Sequence, residues 1–189
     1  NLRCTYCYTG RKFHRAMPLS VARQGVEFGL SEADRGFLLI SFFGGEPMLE
    51  IELMEQAVAY ARERAGQEGK HLFLALATNG TLLDRPEVRE AAALARVVKV
   101  SLSAWNQKSF EWVNRPHPQL TFGSFFDGLK QFRNGYDGQL WLEVFLLSGI
   151  NAMARDVQEI ARLSRVLKPD RIHLNTTARP PAEDFAAAV

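Results

Sequence analysis

The chain of 189 residues predicts an α/β fold built on parallel strands, closed into a barrel or partial barrel. Apolar runs of strand length alternate with stretches of helical periodicity about five times, which implies parallel strands joined by right-handed helical crossovers. No G-x-G-x-x-G follows a strand, which removes the main signal of an open dinucleotide-binding sheet. The unusual polar and glycine-containing segments fall at or just after strand ends, where barrels of this kind carry their chemistry. Periodicity alone leaves the choice between a barrel and an open sheet undecided.

Phe37 to Phe43 is apolar except for Ser41 and reads as a buried strand. Pro47 suits the first turn of a helix, and Ile51, Met54, Val58 and Ala61 continue at helical spacing until Gly66 and Gly69 end the pattern. Leu72 to Ala77 is the next strand, closed by Thr78-Asn79-Gly80, and a short helix follows from Pro86 to about Ala95. Val97 to Leu102 is a strand, Asp127 to Phe132 lies within a helix, and Leu140 to Leu147 is a strand rich in large apolar residues. Val157, Ile160, Ala161, Ser164 and Leu167 mark one helix face that stops before Pro169, and Arg171 to Leu174 is the last strand. Pro180-Pro181 begins either a tail or a final helix.

Hydrophobic content of 47%, charged content of 23% and a net charge of +2 describe an ordinary globular protein of one domain. No dense Lys/Arg block points to a nucleic-acid backbone. The longest apolar runs, Phe37 to Ile40 and Val144 to Leu147, fall far short of a membrane span, so no membrane partner is expected. No apolar stretch after Arg3 makes a signal peptide. Two cysteines make no secreted disulfide framework, which favours a reducing, cytoplasmic setting.

Both cysteines stand in the opening Asn1-Leu2-Arg3-Cys4-Thr5-Tyr6-Cys7-Tyr8. Thiolates spaced C-x-x-C are soft ligands for iron–sulfur clusters or zinc, and the same spacing serves redox dithiols. Gly44-Gly45-Glu46-Pro47 ends the first apolar strand. Glycine lets a ligand approach the backbone, and Glu46 offers an anionic acceptor suited to an ammonium group. Glu143 stands alone in an apolar strand and needs a partner if it points inward.

With Cys4-Thr5-Tyr6-Cys7 followed by Gly44-Gly45-Glu46-Pro47, the sequence resembles the radical S-adenosylmethionine (radical SAM) enzymes. The resemblance implies a partial (β/α)6 barrel and a C-x-x-x-C-x-x-C motif whose three thiolates hold one [4Fe–4S] cluster. Cys4 and Cys7 match the second and third of these. The first would be the residue just before Asn1, so the chain reads as a core-domain fragment spanning 1–189 that lacks the first strand and first cluster cysteine. In such enzymes the open iron is chelated by SAM, and one electron from an external reductant releases a 5′-deoxyadenosyl radical that abstracts hydrogen from substrate.

The resemblance also implies a SAM-binding set. Tyr6 packs near the adenine, and Gly44, Gly45 and Glu46 meet the methionyl amino group. Asn79 lines the pocket, Ser101 and Ser103 bond the ribose, and Arg115 pairs with the carboxylate. Glu143 and Asn175 are candidates at the barrel lumen or rim. Many relatives carry aspartate where Ser103 stands. Tyr8, the basic run Arg11, Lys12, His14 and Arg15, His117 and Arg179 draw attention by position without an assigned role.

The two halves resemble different branches: residues 1 to about 80 the peptide- and protein-modifying maturases, and residues from about 97 onward iron–sulfur oxidoreductases related to wybutosine tRNA-modifying enzymes. The acceptor therefore stays open among a peptide, an RNA base and a small molecule. Two other classes are consistent with the cysteines alone: a non-enzymatic module sharing a structural zinc, and a cytosolic C-x-x-C dithiol oxidoreductase.

Overall fold

The computed structural model describes residues 1–9, 15–33 and 36–189. The described elements run in order α1 (Leu19–Glu32), β1 (Phe37–Phe42), a 3-10 turn (Pro47–Leu49), α2 (Ile51–Gln67), β2 (His71–Thr78), α3 (Pro86–Ala92) and β3 (Val97–Ser101). They continue as α4 (Gln107–Asn114), α5 (Phe122–Asn134), β4 (Gln139–Phe145), α6 (Ala154–Leu167) and β5 (Arg171–Asn175). The strands form one parallel sheet in the order β1-β2-β3-β4-β5. Each strand is laid beside its predecessor without reversal, so right-handed crossovers keep the helices on one face. That is the α/β partial-barrel architecture expected from the sequence.

Side-chain alternation then divides the sheet into two unlike faces. Leu74, Leu76, Val98, Val100, Leu140, Leu142 and Val144 point to the helices and are buried. The opposite face carries Ala75, Ala77, Lys99, Ser101, Trp141, Glu143 and Phe145, all partly exposed. In register, Ala77 lies beside Lys99, Lys99 beside Trp141 and Trp141 beside Arg171, while Ser101, Glu143 and His173 form the next row. This inner face is uncovered toward β1, where Phe37 and Leu39 are each 64% exposed.

Helix boundaries follow local chemistry. Asn106 and Ser109 form a reciprocal capping box at the start of α4, and Thr121 caps α5 through the Ser124 amide. α4 and α6 end on left-handed residues, Arg115 (φ 44°) and Lys168 (φ 46°). Pro47 begins a 3-10 turn rather than α2 itself, because the Glu46 carboxylate accepts the Met48 amide and tightens that turn. On the outer layer Glu27 of α1 accepts from Tyr60 Oη and Arg64 Nε of α2, each at 2.7 Å. The Arg64 and Tyr60 hydrogen bonds hold the Glu27 carboxyl down at about 2.

Neither α1 nor α4 stands out in the sequence. α1 contains Gly25 and Gly29 and leaves Phe28 exposed; α4 is eight residues long and leaves Trp112 exposed. After β5 the described chain adds no helix, so Pro180-Pro181 lies in an irregular segment.

α5 approaches the segment after β2 closely at Gly128, where an added Cβ would stand 2.5 Å from Asp84 N and 2.7 Å from Leu83 C. Both neighbours are backbone and yield poorly. Gly128→Ala is therefore expected to cost about 1–3 kcal/mol despite its better helix propensity. Urea unfolding checks this; a variant as stable as the parent would contradict the close packing.

Candidate functional site

The C-terminal ends of the five parallel strands share one edge of the sheet, the mouth, and the opening segment of the chain is bound beside it through Asn1. Arg3 N donates to Asn114 O (3.1 Å), Thr5 N to Val113 O (3.1 Å) and His117 N to Asn1 O (3.0 Å). A bridge between Leu2 and Pro116 completes the pairing. The cysteine loop is thus held by the end of α4 and the Asn114-to-His117 stretch. Cys7 N donates to Cys4 O at 3.2 Å, folding the C-x-x-C segment into a turn. Both thiols are partly exposed and neither is in a disulfide. Asn114 Nδ2 lies 3.5 Å from Cys4 Sγ, and Thr9 Oγ1 lies 3.1 Å from Cys7 Sγ.

Glu46 sits at the centre of a second set of contacts. Its Oε1 accepts from Thr78 Oγ1 (2.6 Å) and Met48 N (3.0 Å), and its Oε2 accepts from Asn79 N (2.8 Å). Burial of the carboxylate is the largest influence and outweighs these three hydrogen bonds, so its pKa lies above the ordinary carboxylate range. Gly44 has φ 116°, a conformation that strains any L side chain. Gly44 and Gly45 are both exposed, and a Cβ added at either would meet no heavy atom within 4 Å.

Asn79 links the two loops. Its Nδ2 donates to Asn1 Oδ1 (2.9 Å), while its Oδ1 accepts from Thr81 N (2.9 Å) and Thr81 Oγ1 (2.6 Å). Asn1 Nδ2 in turn lies 2.6 Å from Thr81 Oγ1.

The remaining candidates differ in setting. Tyr6 stacks on Phe145 with ring centroids 4.3 Å apart. Burial, followed by the neighbouring Cys4, pushes its hydroxyl well above the usual tyrosine range. Ser103 is buried and accepts from Phe145 N at 2.9 Å, whereas Ser101 lies on the inner face beside Glu143. Glu143 does have the partners its setting demands: Lys99 Nζ at 2.7 Å and Asn175 Nδ2 at 2.8 Å, both on Oε1. Arg115 is exposed and ion-paired with Glu183, and its guanidinium lies 5.9 Å from the Phe185 ring centroid. His117 and Tyr8 are exposed, with Arg179 over the Tyr8 ring at 4.6 Å. Of the basic run, Arg15 is exposed, while Arg11, Lys12 and His14 lie outside the described residues.

Several contributors do not stand out in the sequence. Asn1, Lys99 and Asn114 acquire roles through partners far along the chain, and Thr81 and Asn151 combine local bonds with one distant partner each, Asn1 and Ser103. Asn151 is fully buried; its Oδ1 accepts from Leu147 N, and its Nδ2 donates to Ser103 O and Phe145 O, tying the ends of β3 and β4. Asn114 adjoins Arg115 and His117, which the sequence does mark out.

Cys4 and Cys7 suit two positions of an iron–sulfur ligand set: soft donors in one turn, with an amide N–H directed at one sulfur. Among the described residues no three His, Cys, Asp or Glu side chains converge to hold a metal, so a closed zinc site is not assembled there.

A family model described as the radical SAM superfamily matches residues 1–164. Among curated relatives, a protein named GTPase Obg from Brachyspira hyodysenteriae is 30% identical over 98% of this chain, which spans 27% of that protein. The UPF0026 protein MJ1312 of Methanocaldococcus jannaschii is 26% identical over 96% of this chain and 57% of its own length. The chain thus spans about a quarter to somewhat over half of these relatives. The solved structure of native anSMEcpe with bound AdoMet superposes with a TM-score of 0.80 at 20% identity, over 98% of this chain and 52% of that one. These matches lend no support to the zinc-module or dithiol alternatives.

The raised pKa of Glu46 has a signed consequence. The folded state holds this proton more tightly than the unfolded chain, so the stabilisation is fully present below about 4.5 and is lost as pH rises through the folded value. Glu46→Gln removes that component. Urea unfolding across this window is expected to show a flatter pH dependence for the variant, and identical profiles would contradict the assignment.

Proposed function

The chain belongs to the radical SAM superfamily, and on that premise we propose that residues 1–189 form a radical SAM core domain in a cytoplasmic enzyme. Cys4 and Cys7 supply two of the thiolates that hold a [4Fe–4S] cluster, and S-adenosylmethionine binds across the mouth of the sheet. When bound and reduced, the cluster supplies one electron to cleave SAM, giving a 5′-deoxyadenosyl radical that takes hydrogen from substrate. The single observation that carries the reading is the shared anchoring of the two loops: Asn79 bonds Glu46 through its backbone and Asn1 through its side chain.

The chain's own residues then have distinct tasks. A carboxylate has about four acceptor sites, and Glu46 has spent three on its own chain, which leaves one for a ligand ammonium. Gly44 and Gly45 expose backbone where a side chain would block approach. Asn79 lines the pocket beside them. Tyr6 presents an aromatic face near the adenine, and Ser101 and Ser103 offer hydroxyls to the ribose. Arg115 takes the ligand carboxylate after leaving Glu183, a partly exposed partner worth little to stability. Glu143, held by Lys99 and Asn175, sets the polarity of the inner wall.

The substrate is a peptide, an RNA base or a small molecule, and the electron comes from an external reductant. The named peptide complex among structural neighbours, SuiB bound to precursor peptide SuiA, makes a peptide one class worth assaying. No helix of the described residues is long and apolar enough to cross a membrane.

The intact protein, reconstituted without oxygen and given dithionite and SAM, is expected to form 5′-deoxyadenosine, and Cys4→Ala or Cys7→Ala to abolish it. Undiminished product in both variants, or zinc bound in place of iron, would overturn the proposal.

A further inference from the structure

We propose that Asn114 is a positioning residue whose side-chain amide donates to the Cys4 thiolate and raises the reduction potential of the cluster it helps to hold; the inference rests on the radical SAM reading above. Asn114 is the last residue of α4 and is 6% exposed. Its Nδ2 stands 3.5 Å from Cys4 Sγ, within the reach of an N–H···S hydrogen bond. A thiolate has no proton to give, so only the NH2 end of the amide is favourable toward it.

The contact is fixed from both sides. On one side Arg3 N donates to Asn114 O and Thr5 N to Val113 O, with Thr5 Oγ1 adding a second bond to Val113 O at 3.3 Å. These bonds bracket Cys4 and set its sulfur against the helix end. On the other side α4 cannot slide: its start is locked by the Asn106–Ser109 capping box, and Phe110 and Val113 are buried. The left-handed Arg115 turns the chain away directly after Asn114, so the amide terminates the helix facing the loop.

Electrostatics gives the direction. Reducing the cluster adds negative charge that is shared by its thiolate ligands, and a donor to one sulfur stabilises the reduced form more than the oxidised form. Removing that donor makes reduction harder. The Thr9 hydroxyl near Cys7 is exposed to water and provides no comparable buried donor.

The test is a redox titration of the cluster in the intact, anaerobically reconstituted protein, followed by electron paramagnetic resonance. Asn114→Leu keeps the approximate volume and deletes the donor; Asn114→Asp keeps the shape and turns a carboxylate to the thiolate. Both are expected to retain iron and sulfide content and to move the midpoint negative, Asp further than Leu. For Leu, about a tenfold fall in the reduced-to-oxidised ratio at fixed potential is expected, equivalent to about 59 mV for one electron. If Leu fails to fold, the Asp variant carries the test. Unmoved midpoints at full cluster content, or loss of the cluster with no shift in what remains, would overturn the inference. A parent protein that shows no [4Fe–4S] signal would instead overturn the radical SAM reading itself.

Discussion

Glu46 joins the loop after β1 to the end of β2 by accepting from Thr78, Asn79 and Met48. Those bonds fix where Gly44 and Gly45 expose their backbone and where Asn79 directs its amide. Asn79 then holds Asn1, and Asn1 leads directly into the cysteine loop. The geometry of the mouth therefore descends from one acid kept in a polar nest at a strand end. The cost of burying that acid appears as its raised pKa. A buried acid kept in place at such a cost fits the acceptor role proposed for Glu46.

The inner face of the parallel sheet is uneven in composition. Small residues, Ala75, Ala77 and Ser101, lie at its centre, while Lys99, Trp141, Glu143 and His173 occupy the β3–β5 side. Arg171 stacks on Trp141 at 4.9 Å, and Trp141 meets His173 with centroids 5.1 Å apart. The far end of the chain closes over the cysteine loop: Glu183 N donates to Thr5 O, and buried Ala186 packs with Val113 and Leu147 against Tyr6 and Phe145. The Arg115–Glu183 pair couples this segment to the residue proposed to meet the ligand carboxylate.

Much of this is legible in the sequence, for specific reasons. Strands β2 and β4 show as apolar runs, Leu72 to Ala77 and from Leu140 on, because the helix-facing side of these runs is buried and their inner side, Glu143 apart, carries small or aromatic residues, although β4 ends at Phe145 rather than Leu147. The Gly-Gly-Glu-Pro segment stands out because its chemistry is unusual directly after an apolar strand, and the C-x-x-C segment because it holds both cysteines of the chain. α4 escapes notice because only two of its apolar residues, Phe110 and Val113, are buried, and α1 because its glycines weaken a helical pattern. Glu143 declares a need for a partner, yet Lys99 on the neighbouring strand becomes that partner only through register. Asn114 and Cys4 are 110 positions apart, and no local pattern encodes their contact.

The most direct test of the account is electron paramagnetic resonance of the reduced intact protein, recorded anaerobically before and after SAM is added. The account predicts a [4Fe–4S] signal whose g-values move on addition of SAM, as they would if Cys4 and Cys7 held the cluster and the proposed SAM-binding residues held the ligand next to it. An iron–sulfur signal indifferent to saturating SAM, or a protein that takes up zinc and gives no such signal, would contradict it.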